Sequence, residues 1–366
     1  DVSGICEPGV DNPGMQKRID KFGIRDSFKY RAFPTVFYDI YGKGGHPVRT
    51  TISDIGPSLL SQILGLTEVQ EGVLNTIFRI ADDKGLKIID MKDLRAVINF
   101  VAEHRTEYTI QYGNMAAQSI GAITRALIPL EEQGGETFFG EPEIDLNDWL
   151  RTAPDGRGFV NVLHCVDVIK YPKLYSTFVL WMMAELFEEL PEVGDLDKPK
   201  LVFFFDEAHL LFKDAPKALI SKIEQTVKLI RSKGVGIYFV TQSPSDIPDS
   251  VLAQLSNRVQ HALRAYTPSE QKAVRTAAQT FRANPNFKTE DVIMELGTGE
   301  ALTSFLDEKG IPQIVQKTSV ICPESLMAPA SPSAKEQAMR TSPVTGKYDK
   351  SVDNESAFEV LQKQSE

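Results

Sequence analysis

Four short apolar runs stand far apart along the chain: Val36–Ile40, Val160–Val168, Leu201–Phe205 and Val235–Val240. Each is nearly continuous in β-branched, aliphatic or aromatic residues. That is the pattern of strands covered on both faces by helices, as in a parallel sheet. Between the runs the apolar spacing changes to three and four. Lys173–Leu190 places Leu174, Phe178, Trp181, Met182, Leu186 and Phe187 on one helical face, and Ala218–Ser232 is a similar pattern stopped by Gly234. Strands alternating with helices predict an α/β fold with a doubly wound, mostly parallel sheet.

Residues 57–150 break this rhythm. Thr67 and Gln70 are spaced as a capping box, and Val73–Ala81, Met91–Glu103 and Ala116–Leu130 read as amphipathic helices with no strand-like run between them. The expected organisation is therefore a first part of the core over 1–56, a mostly helical insertion over 57–150, and the rest of the core over 151–322. Past residue 257, strand character returns at Arg258–Tyr266, Glu300–Phe305 and Ile311–Gln316, with a helix around Ser269–Thr280. From Pro323 the composition turns to Pro, Ser, Ala and charge. Residues 323–366 are expected to form a flexible tail, with a short terminal helix at Ala357–Gln364 that docks elsewhere on the chain.

Composition narrows the picture only a little. With 366 residues, 42% apolar and 25% charged, the chain has room for one large domain with an insertion, or for two. A formal net charge of −10 argues against a surface that is basic throughout, leaving a local basic groove or lined pore as the route to nucleic acid. Cys6, Cys165 and Cys322 are widely spaced, odd in number and form no CxxC. Neither a disulfide framework nor a zinc site is indicated, which fits a reducing cytoplasm. No stretch approaches the ~18 apolar residues of a membrane span, so none is expected. The opening residue is Asp1 rather than Met, from which a processed or truncated product is expected.

Candidate chemistry concentrates where the run Leu201–Phe205 ends on Asp206 and Glu207. Unpaired ionised carboxylates in a dry interior cost several kcal/mol, so something should use them. In an open α/β sheet the strand delivers both to the carboxyl edge, where ligands bind. This is the Walker B pattern, in which Asp206 would hold Mg²⁺ through water and Glu207 would polarise the water attacking the γ-phosphate. The alternative is a pair that caps the following helix. Asp206-Glu-Ala-His209 also spells the DEAH-box letters, but no Ser-Ala-Thr motif follows on the next strand, so His209 reads as a helix-face residue.

Gln242, at the tip of Val235–Val240, can both donate and accept, which suits a sensor of the γ-phosphate or its water; the alternative is a strand-end turn. Arg258 could reach a neighbouring subunit's γ-phosphate, because a guanidinium binds phosphate bidentately, or could form a surface salt bridge. Arg231, just before Gly234, is a second candidate of the same kind. Glu295–Leu302 is a glycine turn read as a tight connection. No GxxxxGK[ST] occurs in the 366 residues: Gly42-Lys43-Gly44-Gly45 and Gly346-Lys347-Tyr348 both lack the leading Gly and the closing Ser/Thr.

Taken in order, Phe203–His209, Ile230–Gly236, Phe239–Ser245, Asn257–Val259 and Gly299–Leu302, with Arg49–Pro57, resemble the HerA/FtsK superfamily of ring-forming ATPases, and most closely the bacterial HerA-like helicases. The resemblance runs from residue 1 to about 322. It implies a P-loop NTPase fold of the RecA/FtsK type and a homo-oligomeric, hexameric ring that hydrolyses ATP with Mg²⁺ at subunit interfaces while acting on duplex DNA. By that resemblance Asp206 sits on the metal, Glu207 is the base, Gln242 the sensor and Arg258 a finger acting in trans. Asp1–Ile5 resembles the end of a segment that in the family follows the Walker A loop and its helix. The loop is therefore expected just upstream, and residues 1–366 alone are expected to be inactive. Two other readings stay open: an ATPase that moves or remodels a protein partner, and a non-catalytic interaction protein that keeps the ATPase scaffold.

Overall fold

The computed structural model describes residues 1–213 and 215–365; Asp214 and Glu366, the last residue of the expected tail, lie outside the described residues. Helix α1 (Pro13–Phe22) starts on a proline, with the Asn12 side chain accepting from the Met15 N–H. Strand β1 (Thr35–Asp39) comes next and is buried along its whole length, as the run Val36–Ile40 predicts. It lies between β2 (His46–Pro47) and β3 (Val160–His164), both parallel to it. The third strand stops short of the expected Val168, because Cys165–Lys170 winds into a turn in which the Ile169 N–H donates to the Cys165 carbonyl.

Between β2 and β3 come α2 (Ile52–Leu64), α3 (Glu68–Asp83), α4 (Met91–Tyr112), α5 (Ala117–Leu130) and the short α6 (Glu136–Phe138). Helix α2 bends at Gly56, whose φ of 74° lies in the left-handed region that a side chain would strain. The box predicted at Thr67 and Gln70 caps α3 in both directions. Helix α4 runs past its expected end at Glu103, where apolar periodicity fades. Contacts among Phe100, Tyr108 and Tyr112, with Lys84 over the first two rings, extend it to Tyr112.

The chain then alternates α7 (Pro172–Glu189), β4 (Leu201–Phe205), α8 (His209–Phe212), α9 (Lys217–Leu229), β5 (Val235–Phe239) and α10 (Asp249–Leu252). Gly234, at φ 73°, turns the chain into β5. Strands β4 and β5 pair in parallel, with Phe205 opposite Phe239. Phe203, Phe205 and Phe239 face the core, and Trp149 packs edge-on against Phe203. The other face is bare, contrary to the expectation of cover on both sides. Val202, Phe204 and Tyr238 are 36%, 66% and 53% exposed, and the last two rings stack on each other at 4.6 Å.

Beyond them, β6 (Arg258–Gln260), α11 (Pro268–Gln279), α12 (Thr289–Glu295), β7 (Glu300–Ser304) and β8 (Gln316–Ser319) form an antiparallel sheet, order β6-β7-β8, around a core of its own. Strand β6 ends well before Tyr266, because Leu263 N–H and the Arg264 guanidinium bind carbonyls of Ile293, Met294 and Leu296 instead of a strand. The expected strand Ile311–Gln316 is displaced to β8: Asp307 ties down the N–H groups of Lys309 and Ile311, and Val315 donates to Arg282. Strand pairing among the described residues thus falls into three sheets rather than one continuous sheet.

Helices α13 (Pro332–Thr341) and α14 (Ala357–Ser365) complete the chain. Composition marks this stretch as flexible, yet it lies against the body. Tyr348 and Ala357 are fully buried and Val344 nearly so, and α14 packs on α4. Val344, Tyr348 and Ala357 join the main apolar core, with Val360 and Leu361 packed against it, and polar contacts add to this. The buried carboxylates of Asp148 and Asp93 find donors in Lys347, Tyr348, Ser356 and the Phe358 N–H.

A polar seam at the surface joins α2 to α7, where Asp54 is exposed and Glu185 half-buried. Asp54 accepts from the Trp181 indole and the Thr50 hydroxyl, both at 3.0 Å. Glu185 beside it is pushed up to about 8, first by burial, then by the charge of Asp54 and their shared hydrogen bond, with Glu189 and Glu188 adding to it. The folded state therefore keeps a proton that the unfolded chain gives up near pH 4.3, so stability falls as pH rises from about 4 to about 8. Glu185→Gln should accordingly raise the thermal midpoint at pH 8.5 and leave it unchanged below pH 4. Parallel midpoint shifts at both pH values would contradict this account.

Candidate active site

Because β4 and β5 are parallel and in register, both deliver the residues after them to the same sheet edge. The pairing continues past the strands: Val240 N–H donates to the Phe205 carbonyl at 2.9 Å, and Ala208 N–H donates to the Val240 carbonyl at 2.8 Å. Reaching that second bond forces a sharp turn. Glu207 takes φ 51°, the one non-glycine residue among the described residues with a positive φ. Such a conformation costs roughly 1–3 kcal/mol and persists only where the surroundings hold it.

The Glu207 carboxylate is met from two sides. The Gln242 Nε2 lies 3.4 Å from each of its oxygens, and the His209 Nδ1 lies 3.2 Å from Oε2. Asp206 is exposed, and its Oδ1 accepts the Glu207 N–H at 3.0 Å. The loop carrying Gln242 is fixed by Asp246, which accepts from the Thr241 hydroxyl at 2.8 Å and from the Ser243 N–H at 3.2 Å. Gln242 is thus held between two anchored neighbours, with its own side chain exposed.

Asp206, Glu207 and Gln242, named from the sequence, are therefore brought together. Arg231 does not join them. It precedes β5, at the amino end of a strand that rises about 3.3 Å per residue, and pairs with Asp195 at 3.1 Å with both side chains 80% exposed. Arg258 opens β6 in the antiparallel sheet and touches none of the three. Its guanidinium is half-buried without a hydrogen bond or ion pair to any described residue, and burial pushes its pKa down. His209, read from the sequence as a helix-face residue, does join the site. Asp246 was not foreseen either, although Ser243 and Asp246 have the spacing of a capping box and form one.

A hard oxygen donor such as the Asp206 carboxylate suits Mg²⁺. No group of three His, Cys, Asp or Glu side chains among the described residues could hold a metal on its own. A magnesium ion on Asp206 would therefore draw its other ligands from phosphate and water, the usual arrangement for this ion. The Gly42–Gly45 loop offers no phosphate cradle at β1. The loop folds back on Asp39, whose carboxylate accepts from the Gly44 N–H at 2.7 Å and from the Tyr41 N–H just before the loop at 2.9 Å, and whose carbonyl accepts from the Gly42 N–H at 3.0 Å.

A family model described as Helicase HerA-like C-terminal matches residues 1–366. The chain belongs to this HerA-like family. It is 31% identical over 122 residues to the curated "Probable helicase MJECL08" of Methanocaldococcus jannaschii, a match covering 31% of this chain and 21% of that protein. The HerA-like chain thus matches only about a fifth of that relative's length. Among solved structures it is similar to plasmid coupling protein TrwB in complex with the non-hydrolysable ATP analogue ADPNP, at a TM-score of 0.53 and 13% identity over 88% of both chains. TrwB in complex with ADP and Mg²⁺ gives a TM-score of 0.52 at 12% identity, covering 90% of this chain and 85% of that one. The HerA-like chain has the P-loop NTPase fold. Among the described residues no helix is long and apolar enough to cross a membrane.

Proposed function

We propose that this HerA-like chain is the hydrolytic part of a Mg-ATP-driven DNA translocase or helicase, working in the cytoplasm as a homo-oligomeric, hexameric ring. One observation carries the reading: Asp206, Glu207 and Gln242, a carboxylate for metal, a carboxylate for base and an amide for water, meet at one carboxyl sheet edge. Asp206 would hold the metal through water. Glu207 takes the proton of the attacking water on its carboxylate, and Gln242, donor and acceptor at once, orients that water. Bound Mg-ATP supplies the phosphoanhydride that is cleaved. Arg258, a guanidinium without a partner among the described residues, suits a finger that binds phosphate across a subunit boundary.

The phosphate cradle itself lies outside residues 1–366 in this reading, since no GxxxxGK[ST] occurs within them. The bare face of Val202, Phe204 and Tyr238 supports it, because a strand–loop–helix unit beside β5 would cover those side chains. Residues 1–366 alone are then expected to bind ATP weakly and to show no turnover. Turnover by this fragment that Glu207→Gln abolishes would place the cradle within it and overturn that part of the reading. In the chain that carries the loop, duplex DNA should raise ATP turnover severalfold. Hydrolysis indifferent to DNA would shift the assignment to the remodelling of a protein partner.

A further inference from the structure

Glu207 has a strained backbone and two side-chain neighbours, and the second of these has no role in the mechanism above. His209 is the first residue of α8, two positions after Glu207. Its Nδ1 is buried and makes no aligned hydrogen bond, yet it lies 3.2 Å from Glu207 Oε2. A buried ring nitrogen left without a partner is costly, and the carboxylate is the partner within reach. A protonated ring would make the contact an ion pair, and a neutral ring with its hydrogen on Nδ1 would make it dipolar; both hold the carboxylate.

The imidazole is also well anchored. Leu211 and Phe212 of α8 are buried, and the Phe212 ring packs 5.8 Å from Phe239 on β5. Leu210 and Leu211 N–H groups donate back to the Glu207 and Ala208 carbonyls. His209 and Gln242 are therefore both referenced to the same strand pair. Gln242 is exposed and can turn toward a ligand, whereas the His209 side chain is 31% exposed and rests on packed helix.

We propose that His209 and Gln242 form a two-armed holder for the Glu207 carboxylate, in which His209 is a positioning residue that keeps Glu207 in place when Gln242 turns to the nucleotide's water. The proposal rests on the reading of Glu207 as general base.

The test uses the ATP-hydrolysing chain that carries the phosphate loop, with steady-state kinetics for His209→Phe and His209→Asn beside Glu207→Gln as reference. His209→Phe should lower kcat about tenfold and leave KM for ATP within about twofold, the scale expected for losing a residue that orients a functional group. His209→Asn, which can return an amide donor near the Nδ1 position, should recover most of the kcat. Equal losses in both variants, no loss in His209→Phe, or a rise in KM at unchanged kcat would each overturn the proposal. If His209→Phe does not fold, His209→Ala takes its place: a loss of about tenfold in kcat that His209→Asn recovers supports the holder, and kcat equal to the parent in His209→Ala overturns it. Full turnover in Glu207→Gln removes the general-base reading itself. Turnover abolished in Glu207→Gln but intact in His209→Phe removes only the role of His209.

Discussion

Glu207→Gln in the ATP-hydrolysing chain is expected to lower kcat about 10³-fold while nucleotide affinity stays within about twofold, the scale on which a positioned general base acts. The substitution keeps the shape of the side chain and its reach to Gln242 and His209, and it removes the negative charge and the basicity. The backbone at φ 51° is shared by both residues, so the change isolates the proton-accepting step from folding. Asp206 is untouched and would still bring the metal, which is why binding should survive. Single-turnover ATPase measurements with a fluorescent-nucleotide titration check both halves. Turnover within tenfold of the parent would sink the Walker B assignment, and a parallel collapse of binding would place Glu207 on the metal instead.

Much of this site is legible in the sequence for one physical reason. Five apolar residues in a row that stop on two carboxylates make a strand whose end must meet something polar. The capping box at Thr67 and the buried run of β1 are equally local signals, and both are observed where they were expected. What the sequence hides is cover and distance. Arg231 is a different case: it precedes β5, so its place at the amino end, away from the carboxyl edge, follows from chain direction alone. The run Leu201–Phe205 reads the same whether one face or both are covered, so the exposure of Phe204 is invisible in it. His209 stands just past the two carboxylates at the start of an apolar stretch that looks like helix, and only the turn at Glu207 brings its ring to the carboxylate.

The tail is the case where composition misleads, and it carries the largest expected effect on stability. Ending the chain after Thr341 should cost at least about 3–5 kcal/mol, the scale of leaving a buried charged group without its partners. Asp148 has a side chain only 2% exposed and receives Lys347 at 2.7 Å, the Tyr348 hydroxyl and Arg151 at 2.8 Å. Only the Arg151 bond would survive truncation. Burial alone would push the Asp148 pKa up, but these hydrogen bonds outweigh it and hold the pKa below the usual carboxylate range. Asp93, fully buried on α4, would lose the Ser356 hydroxyl and the Phe358 N–H. Glu359 is held down to about 2, chiefly by the Lys92 ammonium and then by the Ser356 hydroxyl. Both shifts are depressions, so the stability they contribute is present above about pH 4 and is lost as pH falls toward 2. Urea unfolding at pH 7 should therefore separate the truncated chain widely from the parent, and the gap should narrow near pH 2 to 3. Tyr348→Phe keeps the buried ring and removes only the hydroxyl, and should cost about 1–3 kcal/mol by itself. A truly flexible tail predicts changes below about 0.5 kcal/mol for both variants at every pH, an outcome that would return residues 342–365 to a solvated linker.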